Sequence, residues 1–143
     1  MTYADSSFLV SLYIQDAHTE SAQKYLAVHS NSLILTSFSK TETQHAIRTL
    51  AFRKLITVGE MTQGLIHLER AQDEGVYELR LSEPEELFQK ASQLSNRHAL
   101  EYGVRYLDML HVASALLLNA KRFLTFDLRQ RKFAKALGLD VKI

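Results

Sequence analysis

An α/β fold, with a central parallel sheet flanked by helices on both faces, follows from three observations about this sequence. Short apolar or β-branched runs alternate along the chain with longer segments of helical periodicity, the pattern of repeated strand–helix–strand units. The helical segments carry start signals from Ser, Thr or Asp and stop signals from Gly. A length of 143 residues at 46% hydrophobic content supports one substantial core, and a single Pro with no Ser-rich stretch leaves no linker, so residues 1–143 form one domain.

The elements follow in order. Thr2–Asp5 is a short first strand, and Ser7–Ile14 and Ala17–His29 are helices, the second with Asp16 as its cap. Ser32–Thr36 is too short and apolar for a helix and reads as a buried strand. Ala46, Ile47, Leu50 and Ala51 make the apolar stripe of a helix over Thr41–Lys54, with Ser39 and Glu42 as a capping box. Thr57 and Glu60 repeat that signal before a helix that reaches about Asp73 and stops at Gly75. Val76–Leu81 alternates as a strand should. Ser82 with Glu85 and Pro84 then open a helix that runs to Tyr102 and closes at Gly103. Leu107–Asn119 is apolar almost all round, the mark of a buried helix. A strand at Arg122–Phe126, a helix at Arg129–Leu137 ended by Gly138, and a strand at Leu139–Ile143 complete the chain.

Composition removes several function classes. With no Cys there are no disulfides, thiolate zinc sites or cysteine nucleophiles, which agrees with a reducing, cytoplasmic location. The start of the chain is acidic by Asp5 and is no signal peptide, and the longest apolar stretch, Val112–Leu118, is far short of a membrane span. Walker A, G-x-G-x-x-G and G-x-S-x-G patterns are missing. The net charge of +1 gives no bulk attraction for nucleic acid, so any RNA contact must come from a local patch.

Ligands of open parallel sheets sit beyond the carboxyl ends of the strands. Four acids fall there: Asp5 and Asp127 end strands, while Glu42 and Asp108 lie in the first turns of the helices that follow or precede them. Asp108 stands out, because Leu107, Met109, Leu110, Val112 and Ala115 surround it and its helix holds no Lys or Arg before Lys121. An uncompensated carboxylate there costs on the order of several kcal/mol. Each acid alone also has a structural use, as an N-cap, a capping-box partner or a macrodipole partner. Jointly, four convergent carboxylates call for a cation, and oxygen-only donors suit Mg²⁺ or Mn²⁺ rather than Zn²⁺. Such ions activate water against phosphodiesters.

Tyr3-Ala4-Asp5-Ser6-Ser7, Thr41-Glu42, Leu107-Asp108-Met109-Leu110-His111-Val112-Ala113 and Leu124-Thr125-Phe126-Asp127, the last followed by Ala134, Gly138 and Leu139, occur in this order and span nearly the whole chain. In this the sequence resembles PIN-domain proteins, and more narrowly the VapC-type toxin ribonucleases. The resemblance implies a PIN-like fold and a metal-dependent endoribonuclease, often a homodimer, held inactive by a cognate antitoxin encoded beside it. It implies that Asp5, Glu42, Asp108 and Asp127 are the catalytic, metal-binding acids, and that the Ser7 hydroxyl supports them. The family often has a further Asp or Asn shortly after its last acid, where this chain has Arg129.

His111, one turn after Asp108, is either a satisfied core residue or a donor to a carboxylate or phosphate, and His45 bears the same relation to Glu42. Arg105, Arg129, Arg131 and Lys132 flank the acids and are the candidate RNA contacts, with Arg48, Arg53 and Lys54 further along the Glu42 helix and Tyr102 and Tyr106 as possible base-stacking rings. Two rivals stand beside the nuclease reading. A haloacid-dehalogenase-like phosphatase needs Asp-x-Asp after the first strand, and Asp5-Ser6-Ser7 lacks the second Asp. A catalytically silent PIN-like module that docks RNA or protein is the other.

Overall fold

The computed structural model describes residues 1–29 and 33–143. Among these, five three-residue strands are present: β1 (Thr2–Ala4), β2 (Leu33–Leu35), β3 (Tyr77–Leu79), β4 (Arg122–Leu124) and β5 (Asp140–Lys142). The described helices are α1 (Ser6–Tyr13), α2 (Thr19–Val28), α3 (Ser37–Phe52), α4 (Val58–Asp73), α5 (Pro84–Tyr102), α6 (Tyr106–Leu117) and α7 (Leu128–Ala136). The strands form one sheet in the order β3-β2-β1-β4-β5, every pair parallel. Ser32, the expected start of the second strand, lies outside the described residues.

Register explains why the central strands are apolar on both sides. Tyr3 pairs with Ile34 and Phe123, and all three side chains meet α5, α6 and α7 through Leu87, Ala91, Met109, Val112 and Phe133. Their neighbours Ala4, Leu33, Leu35 and Leu124 turn to the other face and pack with Phe8 and Leu9 of α1, Ala22 of α2 and Leu68 of α4. Helices cover both faces, as an all-parallel sheet requires. Each such large side chain taken fully out of water contributes about 1.5–3 kcal/mol.

Several helix starts differ from the sequence expectation. Helix α3 begins at Ser37, not Thr41: Thr36 is its N-cap, and Thr36 and Ser39 form the capping box by reciprocal hydrogen bonds of 3.1 and 3.0 Å. The strand ends at Leu35, so Thr36 is already free to turn and cap. Ser39 is therefore not the cap partner of Glu42, and Glu42 lies in the second turn, beyond the macrodipole's first turn. Asp16 caps the loop rather than α2, accepting from the His18 amide at 2.7 Å and the Ser11 hydroxyl at 2.7 Å. The Ser82–Glu85 box does not form. Pro84 at the helix start sets the entry instead, Glu83 is an N-cap without a side-chain bond, and the Ser82 hydroxyl is buried without a partner among the described residues. The Thr57–Glu60 box does form, and Gly103 ends α5 at φ 58°, a left-handed conformation that glycine adopts without strain.

The chain moves from β1 outward through β2 to β3, then returns to the opposite side of β1 for β4 and β5. The winding thus reverses between β1 and β4. Crossovers leave in opposite directions there, which opens a crevice at the carboxyl ends of those two strands. No helix is long and apolar enough to cross a membrane among the described residues.

Candidate active site

Asp5 follows β1 and caps α1. Its Oδ1 accepts from the Phe8 amide at 2.9 Å and the Ser7 hydroxyl at 2.7 Å, and its Oδ2 lies 2.6 Å from Thr125 Oγ1, just past β4. Ser7 also accepts from the Phe126 amide at 3.0 Å, so it ties the ends of β1 and β4 together. Asp5 is only 3% exposed. Burial pushes its carboxyl above the usual carboxylate range, against the opposing pull of His111 and the three hydrogen bonds.

Asp127 occupies the equivalent place after β4. Its Oδ1 caps α7 by accepting from the amides of Arg129 and Gln130, both at 2.8 Å, and its other oxygen makes no hydrogen bond among the described residues. Asp108 is half-buried in the first turn of α6. Its carboxylate has no hydrogen-bond or ion-pair partner among the described residues, whereas its main-chain carbonyl accepts from Gln130 Nε2 at 3.0 Å. Burial raises its proton affinity, and the negative charges of Asp127, Asp5 and Glu42 raise it further, with His111 opposing. Asp108 therefore lies within electrostatic reach of the other three acids.

Glu42 is the member whose surroundings differ most from expectation. Its Oε2 bonds to His111 Nε2, and His111 Nδ1 lies 2.9 Å from the Tyr3 hydroxyl. A carboxylate only accepts, so His111 Nε2 donates to Glu42, while Nδ1 faces the Tyr3 hydroxyl. Burial would raise the Glu42 carboxyl, but the His111 hydrogen bond and charge outweigh it and hold it below its usual value. His111, at 1% exposure, is thus both a satisfied core residue and the partner of a site acid. His45 is exposed and faces the groove beside Glu42.

A groove of about 870 Å³ is lined by Glu42 and Asp127 but not by Asp5 or Asp108. Ser7, Arg105, Leu50 of α3 and Leu55 just beyond that helix also line it. Arg129 and Lys132 line a separate recess with Glu101, Tyr102 and Gly103. Arg131 departs from the expected role: its Nη2 donates to the Thr125 carbonyl at 3.3 Å and its Nε is buried without a partner among the described residues, so this guanidinium is turned inward. Tyr102 packs on Phe133 at 5.5 Å, and Tyr106 is exposed.

Two residues of this site escaped the sequence reading. Thr125 is fully buried and contacts Asp5, Asp127 and Gln130, and Gln130 is fully buried on α7. A hydroxyl two residues before a strand-end acid, and an amide three after it, are the signals that mark them.

All donors at the site are hard oxygens, and the unpartnered Asp108 carboxylate beside three other acids is a site that a divalent cation relieves, so the residues fit Mg²⁺ or Mn²⁺. Among the described residues, however, no three His, Cys, Asp or Glu side chains already stand at metal-ligand spacing. Capping holds one oxygen of Asp127, and His111 holds Glu42.

The PIN domain family model matches residues 2–136. Among solved structures the chain is similar to VapC20 of Mycobacterium tuberculosis, a toxin that cleaves the sarcin–ricin loop, with a TM-score of 0.73 at 17% identity over 100% of both chains. It is also similar to FitAcB from Neisseria gonorrhoeae, with a TM-score of 0.66 at 13% identity over 100% of this chain and 97% of that one. At such identities these likenesses speak to fold alone. No curated protein matches the chain in sequence.

Proposed function

The chain belongs to the PIN-domain family, and from that premise we propose that it is a Mg²⁺- or Mn²⁺-dependent endoribonuclease, the toxin of a toxin–antitoxin pair. The observation that carries this reading is Asp108. A half-buried carboxylate with no partner among the described residues, its proton affinity raised by burial and three neighbouring acids, has no evident use in stability. Asp5, Glu42, Asp108 and Asp127 would hold the ion. Bound there, it would supply the positive charge that activates water and neutralises a phosphodiester.

The chain's own residues prepare the rest. Ser7, the Phe8 amide and Thr125 hold the Asp5 carboxylate, so one acid is oriented before any ligand arrives. The α7 cap engages only Oδ1 of Asp127 among the described residues, and this residue lines the groove. Arg105 in the groove, and Arg129 and Lys132 in the separate recess, supply cations for flanking phosphates of a single RNA strand. The toxin assignment draws on the fold shared with VapC20 and on the ordered motifs. The antitoxin partner, the homodimer and the cytoplasmic setting follow from the motifs' family resemblance.

The decisive experiment is RNA cleavage by the purified protein with Mg²⁺, with EDTA, and with Asp127→Asn. Asn caps a helix about as well as Asp, so folding should survive while cleavage falls by at least about 100-fold, beyond the cost of losing a residue that merely orients a ligand. Normal cutting in EDTA or by the variant sinks the proposal. The Glu42–His111 bond favours one rival, a catalytically silent RNA- or protein-docking module, because it engages an acid that the metal reading needs. Mn²⁺ titration calorimetry separates the two: no heat at millimolar metal selects the docking module.

A further inference from the structure

Gln130 lies three residues after the Asp127 N-cap of α7, the position from which a Gln normally completes a capping box by accepting from the N-cap amide. It does not do so. The Asp127 amide donates to Thr125 Oγ1 at 3.0 Å, and the Gln130 side chain turns into the protein with no exposure at all. Its Nε2 donates to the Asp108 carbonyl at 3.0 Å, and its Oε1 lies 2.9 Å from Thr125 Oγ1, the atom that is 2.6 Å from Asp5 Oδ2. Its own amide is held by Asp127 Oδ1 at 2.8 Å. One side chain therefore donates to Asp108 and touches the hydroxyl that meets both the Asp5 carboxylate and the Asp127 amide, and these three acids stand at the starts of three different helices.

Neither partner needs this amide for its own satisfaction. The Asp108 carbonyl, in the first turn of α6, is also the acceptor for the amide four residues on, as in any α-helix. The Thr125 hydroxyl has a single proton and can give it to Asp5 instead. An apolar side chain of equal size would orphan neither group. What the amide adds is a directional link between the start of α6 and the corner where β4 becomes α7.

We infer that Gln130 is a positioning residue: its amide sets the placement of Asp108 against Asp5 and Asp127, and thereby the metal affinity of the site. This rests on the metal reading above. The test compares the unmodified protein with Gln130→Met and with Gln130→Leu, each of which keeps roughly the volume and loses the hydrogen bond to the Asp108 carbonyl without burying a charge. Two readouts are taken: Mn²⁺ affinity by calorimetry, and hydrogen exchange of amides 109–112 in metal-free protein. These amides are the first bonded within α6.

Both variants are expected to bind Mn²⁺ about 10–100-fold more weakly, the usual cost of removing a group that orients ligands, and to exchange faster at 109–112, with little change in metal-free unfolding temperature. A merely structural Gln130 would lower that temperature and leave affinity alone. Affinity within about twofold of the unmodified protein, in whichever variants fold, overturns the inference. If the unmodified protein itself binds no Mn²⁺, the metal reading fails and the affinity claim fails with it. In that case exchange at 109–112 still decides whether Gln130 holds the start of α6, and unchanged exchange overturns that link as well.

Discussion

Asp108 and Glu42 are both acids on helices at one sheet edge, yet their carboxyls move in opposite directions. Asp108 is pushed up by burial and by its acidic neighbours, whereas the His111 bond holds Glu42 down despite burial. The stability that Asp108 contributes is thus fully present below its unfolded value of about 3.8 and is lost as pH rises through the higher folded value. Glu42 behaves inversely: its contribution is present above about 4.5 and disappears as pH falls through its lowered folded value. Asp108→Asn should therefore raise the metal-free unfolding temperature at pH 7, by about 2–4 °C for each kcal/mol of repulsion relieved, with the gain vanishing near pH 3. The same variant should lose stabilisation by Mn²⁺. A metal-free temperature at pH 7 equal to or below the parent's contradicts this electrostatic account. Asp108 was legible because its flanking residues are adjacent in sequence. The role of Glu42 was not, because His111 comes to it from 69 positions away and on another helix.

Elements were legible wherever their signals are local. Thr57 and Glu60 cap α4 as their spacing requires, and Gly103 closes α5. The failures came where two adjacent local signals compete. Thr36 and Ser39 outrank Ser39 and Glu42 because the strand ends first, and Pro84 outranks Ser82 because its fixed φ already sets the helix start. The close approach of α4 to α1 was also hidden. A Cβ on Gly64 would stand 2.6 Å from Ile14 Cδ1 and 3.2 Å from the Tyr13 carbonyl oxygen, while one on Gly59 meets only Thr57 Oγ1 at 3.8 Å. Gly→Ala gains up to about 1 kcal/mol of helix propensity in a helix interior, but overpacking costs about 1–3 kcal/mol. Gly64→Ala should accordingly destabilise the protein by about 1 kcal/mol, and Gly59→Ala should be neutral or mildly stabilising. Urea denaturation checks both, and a stabilised Gly64→Ala would show that the two helices can part at no cost.

Across the whole molecule, acids and bases nearly cancel at a net charge of +1, so affinity for RNA under the proposed function must come from cations near the groove. Replacing Arg129 and Lys132 together by Ala should weaken RNA binding at low salt. It should also flatten the dependence of log affinity on log salt by about 1.4, or about 0.7 per phosphate contact on a single strand. An unchanged slope would remove that recess from the interface. Sequence alone determined the alternation of elements, the parallel sheet with two apolar faces, and the acids that follow β1 and β4, because periodicity and helix-start chemistry are properties of neighbouring residues. Only the tertiary structure decided that the winding reverses between β1 and β4, that Glu42 answers to His111 rather than Ser39, that Arg131 turns inward, and that Thr125 and Gln130 link Asp5, Asp108 and Asp127. Strand order and buried hydrogen bonds join residues up to 120 positions apart, and no local pattern encodes which polar group a folded chain will place opposite another.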